Sequence, residues 1–348
     1  MQTYRLALIG FGNVGQGFAQ ILCEQGPRLE EQFGLRLQIV AIADTLKGNL
    51  YDPEGLDPAA LLEAVRTSGR VDTVPAAFHG WDALRTIDEA AADVVVELSY
   101  TDLKTGEPAL THLRRAIAAG KHVVTSNKGP IALRYPELKT LAREHGVKIG
   151  IEGTVMSGTP VLRLAEELLA PAGITRIQGI INGTTNYILT QMESGMSYTD
   201  ALAEAQEKGY AEADPSGDVD GHDAAGKAAI LANLLMGGLL IPADVDRTGI
   251  SALTSQDVAA AKASGERWKL IARVERVDGQ VIASVRPTRL PLSHPLAAVS
   301  GAINAITFTT RLLGDVTLVG PGAGRLETGY AIVGDLLAIG GIDILPQN

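Results

Sequence analysis

The stretch YRLALIGFGNVGQGFAQIL, Tyr4 to Leu22, decides the fold. Tyr4 to Gly10 is an apolar run of strand length, and GFGNVG follows it directly, opening a helical pattern through Phe18, Ile21 and Leu22. Gly10 permits the tight turn, and Gly12 lets the amides at the helix start, around Asn13 and Val14, approach a pyrophosphate. Gly15 allows close contact between helix and strand, and the helix N-terminus attracts phosphates. A glycine-rich hexapeptide alone is a common turn. A strand before it and a helix after it turn it into a dinucleotide-binding signal.

The next strand, Leu37 to Ala43, ends at Asp44, where an acid would accept the adenosine ribose hydroxyls of NAD. Asp44 lies 34 positions after Gly10, where about 20 is usual. The first helix must therefore be extended through Arg28 to Gln32 or carry an inserted turn. Lys47 stands close enough to meet a 2′-phosphate instead, so the expected cofactor is NAD or NADP, with Asp44 favouring NAD. Asp93 to Leu98, the helix Pro108 to Ala119 and the strand Lys121 to Thr125 continue the alternation. The expectation is an α/β fold with a Rossmann-type doubly wound parallel sheet. Ligands of such sheets bind beyond the carboxyl ends of the strands, which places Ser99 after one strand and Lys128 after the next. On position alone Lys128 is as well explained by a solvated loop.

After Ile151 the character changes. EGTVMSGTP, Glu152 to Pro160, is a loop of small residues suited to offering carbonyls to a hard cation beside one carboxylate; a plain turn is the blander explanation. INGTTNY, Ile181 to Tyr187, ends a strand and caps a helix with Asn or Thr. Between Tyr210 and Lys227 stand Glu212, Asp214, Asp218, Asp220, Asp223 and Lys227, followed by the apolar run AAILANLLMGGLL. A helix over His222 to Gly237 puts Asp223 and Lys227 on one face with the acid toward the N-terminus. An exposed ion pair of that spacing is worth only a few tenths of a kcal/mol (~0.3). A calcium loop also matches at Ser216, Asp218, Asp220 and Gly221, but its last position, which needs a bidentate Glu, is Lys227. What remains is a lysine beside an apolar helix and among acids, where burial and charge compete over a proton. A hairpin of Trp268 to Val277 and Val281 to Arg286 around Asp278-Gly279 follows, then strands at Ala305 to Thr310 and Val316 to Val319. GPGAG, Gly320 to Gly324, precedes a helix over Glu327 to Ile339 that would bring a second glycine-rich turn, with Gly322, to the cofactor. The expected division is a dinucleotide-binding domain over 1–151 and 318–348 and an α+β catalytic and dimerisation domain with a mixed sheet over 152–317.

The chain has 348 residues, 46% hydrophobic and 20% charged, with a formal net charge of −10. That is ordinary for a globular protein of two domains and argues against a nucleic-acid or anionic-membrane partner, leaving a small molecule. No stretch reaches the about 18 apolar residues of a membrane span, and the N-terminus does not read as a signal peptide, so the expected location is cytoplasmic. The lone Cys23 allows no internal disulfide and is expected as a small buried side chain of the first helix.

Taken together these segments resemble homoserine dehydrogenase over nearly the whole chain. AQEKGYAEADPSGDVDGHDAAGK, Ala205 to Lys227, fits the family signature at Gly209, Asp214-Pro215, Asp218, Gly221, Asp223 and Lys227. GFGNVG, SNKGP (Ser126 to Pro130), EGTVMSGTP, INGTTNY, SHPLA (Ser293 to Ala297) and GPGAG resemble family blocks in the same order. The resemblance implies reversible NAD(P)-dependent interconversion of aspartate 4-semialdehyde and homoserine, on the route to threonine, methionine and isoleucine. It implies Glu212 and Asp223 as acceptors for substrate ammonium and hydroxyl, and Lys227 or Lys128 as the proton donor, with Lys128 also bordering the nicotinamide. Asp218 would orient Lys227. It further implies a structural sodium ion on Glu152 and the carbonyls of Val155, Ser157 and Thr159, and a homodimer. A C-terminal regulatory ACT module is not expected, nor feedback by threonine through one. Two other readings stay open. An aspartate-semialdehyde dehydrogenase needs a cysteine nucleophile, for which Cys23 is badly placed, and a non-catalytic dinucleotide sensor predicts loss of Lys227 or Glu212, both present.

Overall fold

The computed structural model describes residues 1–341; residues 342–348, which close the expected dinucleotide-binding domain, lie outside the described residues. The chain forms two compact units, one from Met1–Gly158 together with the segment from Gly324 onward, the other from Thr159–Ala323. EGTVMSG therefore belongs to the first unit and GPGA to the second.

In the first unit β1 (Gln2–Ile9) is the centre of a seven-stranded sheet. It pairs in parallel with β2 (Leu35–Asp44) on one side and β5 (Val94–Glu97) on the other, and β6 (His122–Thr125) and β7 (Ile149–Gly150) continue beyond β5. The doubly wound parallel sheet expected from the sequence is thus present, with an antiparallel edge beyond β2. β3 (Gly48–Tyr51) and β4 (Phe78–His79) add antiparallel at that edge. The cause is local: only a tight turn separates β2 from β3, and a parallel neighbour would need a crossover of a dozen or more residues. The strand order runs away from β1 in both directions, and ligands of such sheets bind at that switch point, beyond the carboxyl ends of β1 and β5.

Helix α1 (Asn13–Phe33) spans 21 residues and stops at Gly34, which takes the left-handed conformation with φ 61°. Its length accounts for the late position of Asp44: the chain stays helical through Arg28–Gln32 before β2 begins. Ile21 and Leu22 face the core, while Cys23 turns outward. This corrects the expectation of a buried thiol, because position 23 falls one helical step outside the apolar stripe. Next come α2 (Pro58–Ser68), α3 (Ala83–Glu89), α4 (Ala109–Ala118) and α5 (Lys128–Glu144), the last capped by Asn127, whose Oδ1 accepts from the Gly129 amide at 3.0 Å.

The second unit is built on a six-stranded mixed sheet of order β13-β12-β8-β10-β11-β9. Its strands are β8 (Ile174–Ile180), β9 (Asp246–Arg247), β10 (Glu266–Val277), β11 (Gln280–Pro291), β12 (Ile303–Thr310) and β13 (Gly314–Pro321). Asp278 and Gly279 close the β10–β11 hairpin with φ of 49° and 83°, as a two-residue turn of this kind requires. β11 runs past Arg286 despite Pro287 and Pro291. Counting from the closing pair Val277–Gln280, both prolines fall at non-hydrogen-bonded pairs, so their missing N–H groups point away from β10. The unit also contains α6 (Leu162–Leu164), α7 (Gly183–Glu193), α8 (Tyr198–Glu207), α9 (Ser216–Val219), α10 (His222–Met236) and α11 (Ser255–Ala263). Helix α10 packs on β10 and β11 and is buried along most of its length, from Ala224 to Ala232.

Lys269 on β10 is fully buried and donates to Asn186 Oδ1 at 3.0 Å and the Val299 carbonyl at 2.7 Å. Burial pushes its ammonium down to about 8. The chain then returns to the first unit as α12 (Arg325–Gly340), packed on α1. Glycines allow that close approach: a Cβ on Gly17 would collide with the Arg325 carbonyl, and one on Gly329 would sit 2.7 Å from the Phe18 amide. Among the described residues no helix is long and apolar enough to cross a membrane.

Candidate active site

The dinucleotide side of the first unit is assembled at the start of α1. Gly10 has φ 105°, and a Cβ there would lie 2.6 Å from the Leu98 carbonyl oxygen, whereas a Cβ on Gly12 would meet nothing within 4 Å. Gly15 lies against the turn itself, 3.0 Å from the Gly10 carbonyl by the same measure. No side chain caps α1 at Gly12, and its first turn holds no acid. The opening amides, at the exposed Asn13 and half-buried Val14, thus face open space and suit a pyrophosphate.

Asp44 is locked into this turn. Its Oδ2 accepts from the Phe11 amide at 2.7 Å and its Oδ1 from the amides of Leu46 and Lys47 at 2.9 and 2.8 Å. A carboxylate accepts about four hydrogen bonds, so three leave room for a ribose hydroxyl. These residues therefore fit an adenine dinucleotide: glycines without side chains, uncapped amides and a fixed acceptor from the end of β2 meet at the start of α1.

Beyond β5 and β6 the structure shows a network that the sequence reading missed. Glu97, the last residue of β5, is fully buried. Its Oε1 accepts from the Ser99 amide at 3.1 Å and from the Ser99 hydroxyl, and lies 3.2 Å from His112 Nδ1 on α4. Asn127 Nδ2 donates to the carbonyls of Ser99 and Tyr100 at 3.1 and 3.0 Å, which ties the two loops together directly before Lys128. Lys128 is half-buried at the first position of α5. The only signal for Glu97 in the sequence is an acid ending the apolar strand DVVVEL, where a core residue would otherwise stand.

In the second unit Lys227 lies on α10 and is 7% exposed. Its Nζ is 2.8 Å from Asp223 Oδ2, one helical turn earlier, and donates to the Ile181 carbonyl at 2.8 Å. The two side chains are 9% and 18% exposed, so the pair is not the solvated one that its spacing alone would suggest. An ammonium carries three donors, and among the described residues two are used, so the third is left for a ligand oxygen. Asn182, the cap of α7, is the hub the sequence reading saw only as a cap. Its Nδ2 donates to Asp218 Oδ1 at 2.6 Å and to Asp223 Oδ2 at 3.1 Å, while its Oδ1 accepts from the Thr185 amide at 2.9 Å. Burial, and then the negative charge of Asp223, push the Asp218 carboxyl above its usual range, against the Asn182 hydrogen bond and the charge of Lys227.

Asp218, Asp223 and Lys227 are thus brought together. Glu212 is not joined to them by any hydrogen bond or ion pair among the described residues; its side chain is exposed. Its backbone is held, with Gln206 Nε2 donating to the Glu212 carbonyl at 3.0 Å and Thr184 Oγ1 to the Tyr210 carbonyl at 2.6 Å. Among the described residues the Asp220 side chain accepts a hydrogen bond only from Ser251 Oγ, at 3.4 Å. The calcium-like segment is the helical turn α9, not a loop.

Of the remaining expected residues, Glu152 is buried and its amide donates to Asp335 Oδ2 at 3.0 Å. Met156 and Ser157 have φ of 56° and 54°, an uncommon conformation that turns successive peptides, and Val155 precedes them. Thr159 donates from Oγ1 to the Pro321 carbonyl at 2.9 Å, and Gly322 lies directly against the buried amide of Asn304. Among the described residues no group of three or more His, Cys, Asp or Glu is arranged to hold a metal.

Comparison with known proteins adds names to this geometry. The family described as "Homoserine dehydrogenase, NAD binding domain" matches residues 10–152, and that described as "Homoserine dehydrogenase" matches residues 160–337. An NAD(+)-dependent homoserine dehydrogenase of Pseudomonas canavaninivorans is 46% identical over 342 residues, covering 97% of each chain. A homoserine dehydrogenase of Methanocaldococcus jannaschii is 41% identical over 335 residues, covering 96% of this chain and 98% of the other. Among solved structures, a hyperthermophilic archaeal homoserine dehydrogenase in complex with NADPH is similar with a TM-score of 0.82 at 30% identity, over 97% of this chain and 98% of that one.

Proposed function

The chain belongs to the homoserine dehydrogenase family of NAD(P)-dependent oxidoreductases, and from that premise we propose which of its residues carry the reduction of aspartate 4-semialdehyde to homoserine. The observation behind the proposal is the buried Lys227 ammonium, held by Asp223 and the Ile181 carbonyl with one donor left over.

NAD(P)H, when bound, supplies the hydride to the aldehyde carbon. Lys227 donates its third N–H to the aldehyde oxygen and gives up that proton as negative charge develops there. Asp223 holds the lysine in an ion pair before reaction, and the Ile181 carbonyl fixes its direction. In the reverse direction neutral Lys227 accepts the homoserine hydroxyl proton. Asn182 holds Asp218 and Asp223 in register, so Asp218 acts on Lys227 through its neighbours. Glu212, exposed on a pinned backbone, is the acceptor for the substrate ammonium. Lys128 is the alternative proton donor. Its neighbour Asn127 holds the loop of Ser99, and these residues border the cofactor in the first unit.

Asp44 favours NAD, since a fixed carboxylate at the ribose disfavours a 2′-phosphate. Glu152, with the carbonyls turned by the 155–157 segment, would bind sodium in a structural role. A homodimer, a cytoplasmic location and a place on the route to threonine, methionine and isoleucine complete the reading.

The test is spectrophotometric: oxidation of NADH and of NADPH by aspartate semialdehyde in wild type, Lys227→Ala and Lys128→Ala. The expected result is turnover with NADH preferred, and a loss of kcat of about 10²–10⁴ in Lys227→Ala. Turnover kept in Lys227→Ala and lost in Lys128→Ala would reverse the proton assignment, and no turnover with either cofactor in wild type would sink the reaction itself.

A further inference from the structure

The turn after β2 carries a second layer of charge. Arg70, just past the end of α2, donates from Nη1 to the Leu46 carbonyl at 2.9 Å and from Nε to Asp72 Oδ2 at 2.5 Å. Between them the Val71 amide donates to the Lys47 carbonyl at 2.8 Å. Gly48 lies so close to Asp72 that any side chain there would run into its carboxylate. The 70–72 segment is therefore docked on one side of the turn whose other side is held by Asp44, through the amides of Leu46 and Lys47.

A 2′-phosphorylated adenosine would bring a doubly charged group to the ribose hydroxyl nearest Asp44. The residue type best built to receive it is arginine, whose planar fork binds phosphate oxygens in pairs. Arg70 stands on that turn, yet its Nε is committed to Asp72 and one terminal nitrogen to Leu46. Lys47 and Arg70 are matched there by Asp44 and Asp72, so the corner offers no surplus of positive charge.

We propose that Asp72 is a specificity-determining residue: by engaging Arg70 it withholds a phosphate-binding guanidinium from the adenosine 2′ position and so selects the unphosphorylated dinucleotide. The proposal rests on the reading of Asp44 as the ribose acceptor. Both partners are half-exposed, 54% for Arg70 and 43% for Asp72, so the guanidinium is within reach of a ligand once released. An exposed pair of this kind is worth up to about 1 kcal/mol, so the selectivity at stake is about fivefold at most.

The experiment titrates AMP and adenosine 2′,5′-bisphosphate by calorimetry, alongside kcat/KM for NADH and NADPH, in wild type, Asp72→Asn, Arg70→Ala and the double variant. Asp72→Asn is expected to raise both the bisphosphate-to-AMP affinity ratio and the NADPH-to-NADH ratio by roughly two- to fivefold, and the double variant to return both to the wild-type values. Should Asp72→Asn fail to fold, Asp72→Ser is read in the same way. Ratios unmoved in the variant overturn the proposal, as does a gain that survives the loss of Arg70. Wild type that binds neither nucleotide, or AMP affinity indifferent to Asp44→Ala, removes the ribose reading and the proposal with it. Unmoved ratios with Asp44-dependent AMP binding remove the proposal alone.

Discussion

Lys227 and Asp218 show how one small cluster combines an ion pair with a carboxyl that resists ionisation. The lysine is buried and held by Asp223 and the Ile181 carbonyl, while the nearby acid is desolvated beside Asp223, which raises its pKa. A carboxyl whose pKa is raised on folding holds its proton more tightly in the native state. Between the ordinary value of 3.8 and the raised native value, the folded protein therefore binds more protons than the unfolded chain, and stability falls as pH rises. Asp218→Asn removes that contribution. Urea unfolding of both proteins should show the stability of the variant relative to wild type rising with pH across this acid window, and a difference that does not change with pH would contradict the shift. The acids and the lysine were legible as a dense, chemically improbable run. Asn182 was not, because an Asn before GTT reads equally well as a helix cap, and only the approach of the β8 end to α10 turns its amide toward two carboxylates.

At the scale of elements, the glycine-rich turn and α1 were readable because their conformations are local: a positive φ at Gly10, an uncapped helix start, and an apolar stripe of helical period. The length of α1 was readable only by default, from the distance to Asp44. Its partner α12 was expected as a helix, but the need for Gly17 and Gly329 arises solely from their meeting. Gly17→Val should therefore destabilise the protein by about 1–3 kcal/mol through overpacking, measured as a drop in urea midpoint at unchanged slope. Gly12→Ala, with open space around it, should leave that midpoint within about 0.5 kcal/mol of wild type and raise KM for NADH. A Gly17 variant as stable as wild type would show that the two helices can separate without cost. The antiparallel β3–β4 edge escaped the sequence reading because strands of four and two residues carry too little periodicity to register.

For the whole molecule, the family assignment predicts properties that neither unit states by itself. Sedimentation equilibrium at micromolar concentration should give twice the chain mass, and a monomer throughout would remove the homodimer from the proposed function. The sequence by itself determined the order of the longer elements, the dinucleotide turn, the presence of a lysine among acids and the family, because each depends on residue type at short spacing. Tertiary structure alone decided which of those acids meet. Asp223 and Asp218 were drawn onto the Ile181–Asn182 strand end, Glu212 was left exposed, and Glu97 and Lys269 were buried with partners distant in sequence. It also decided that Asp72 sits on Arg70 at the edge of the cofactor turn. The physical reason is the same in each case: hydrogen bonds and desolvation act through space, and nothing in the local pattern of a chain says which distant carbonyl or carboxylate folding will bring within 3 Å.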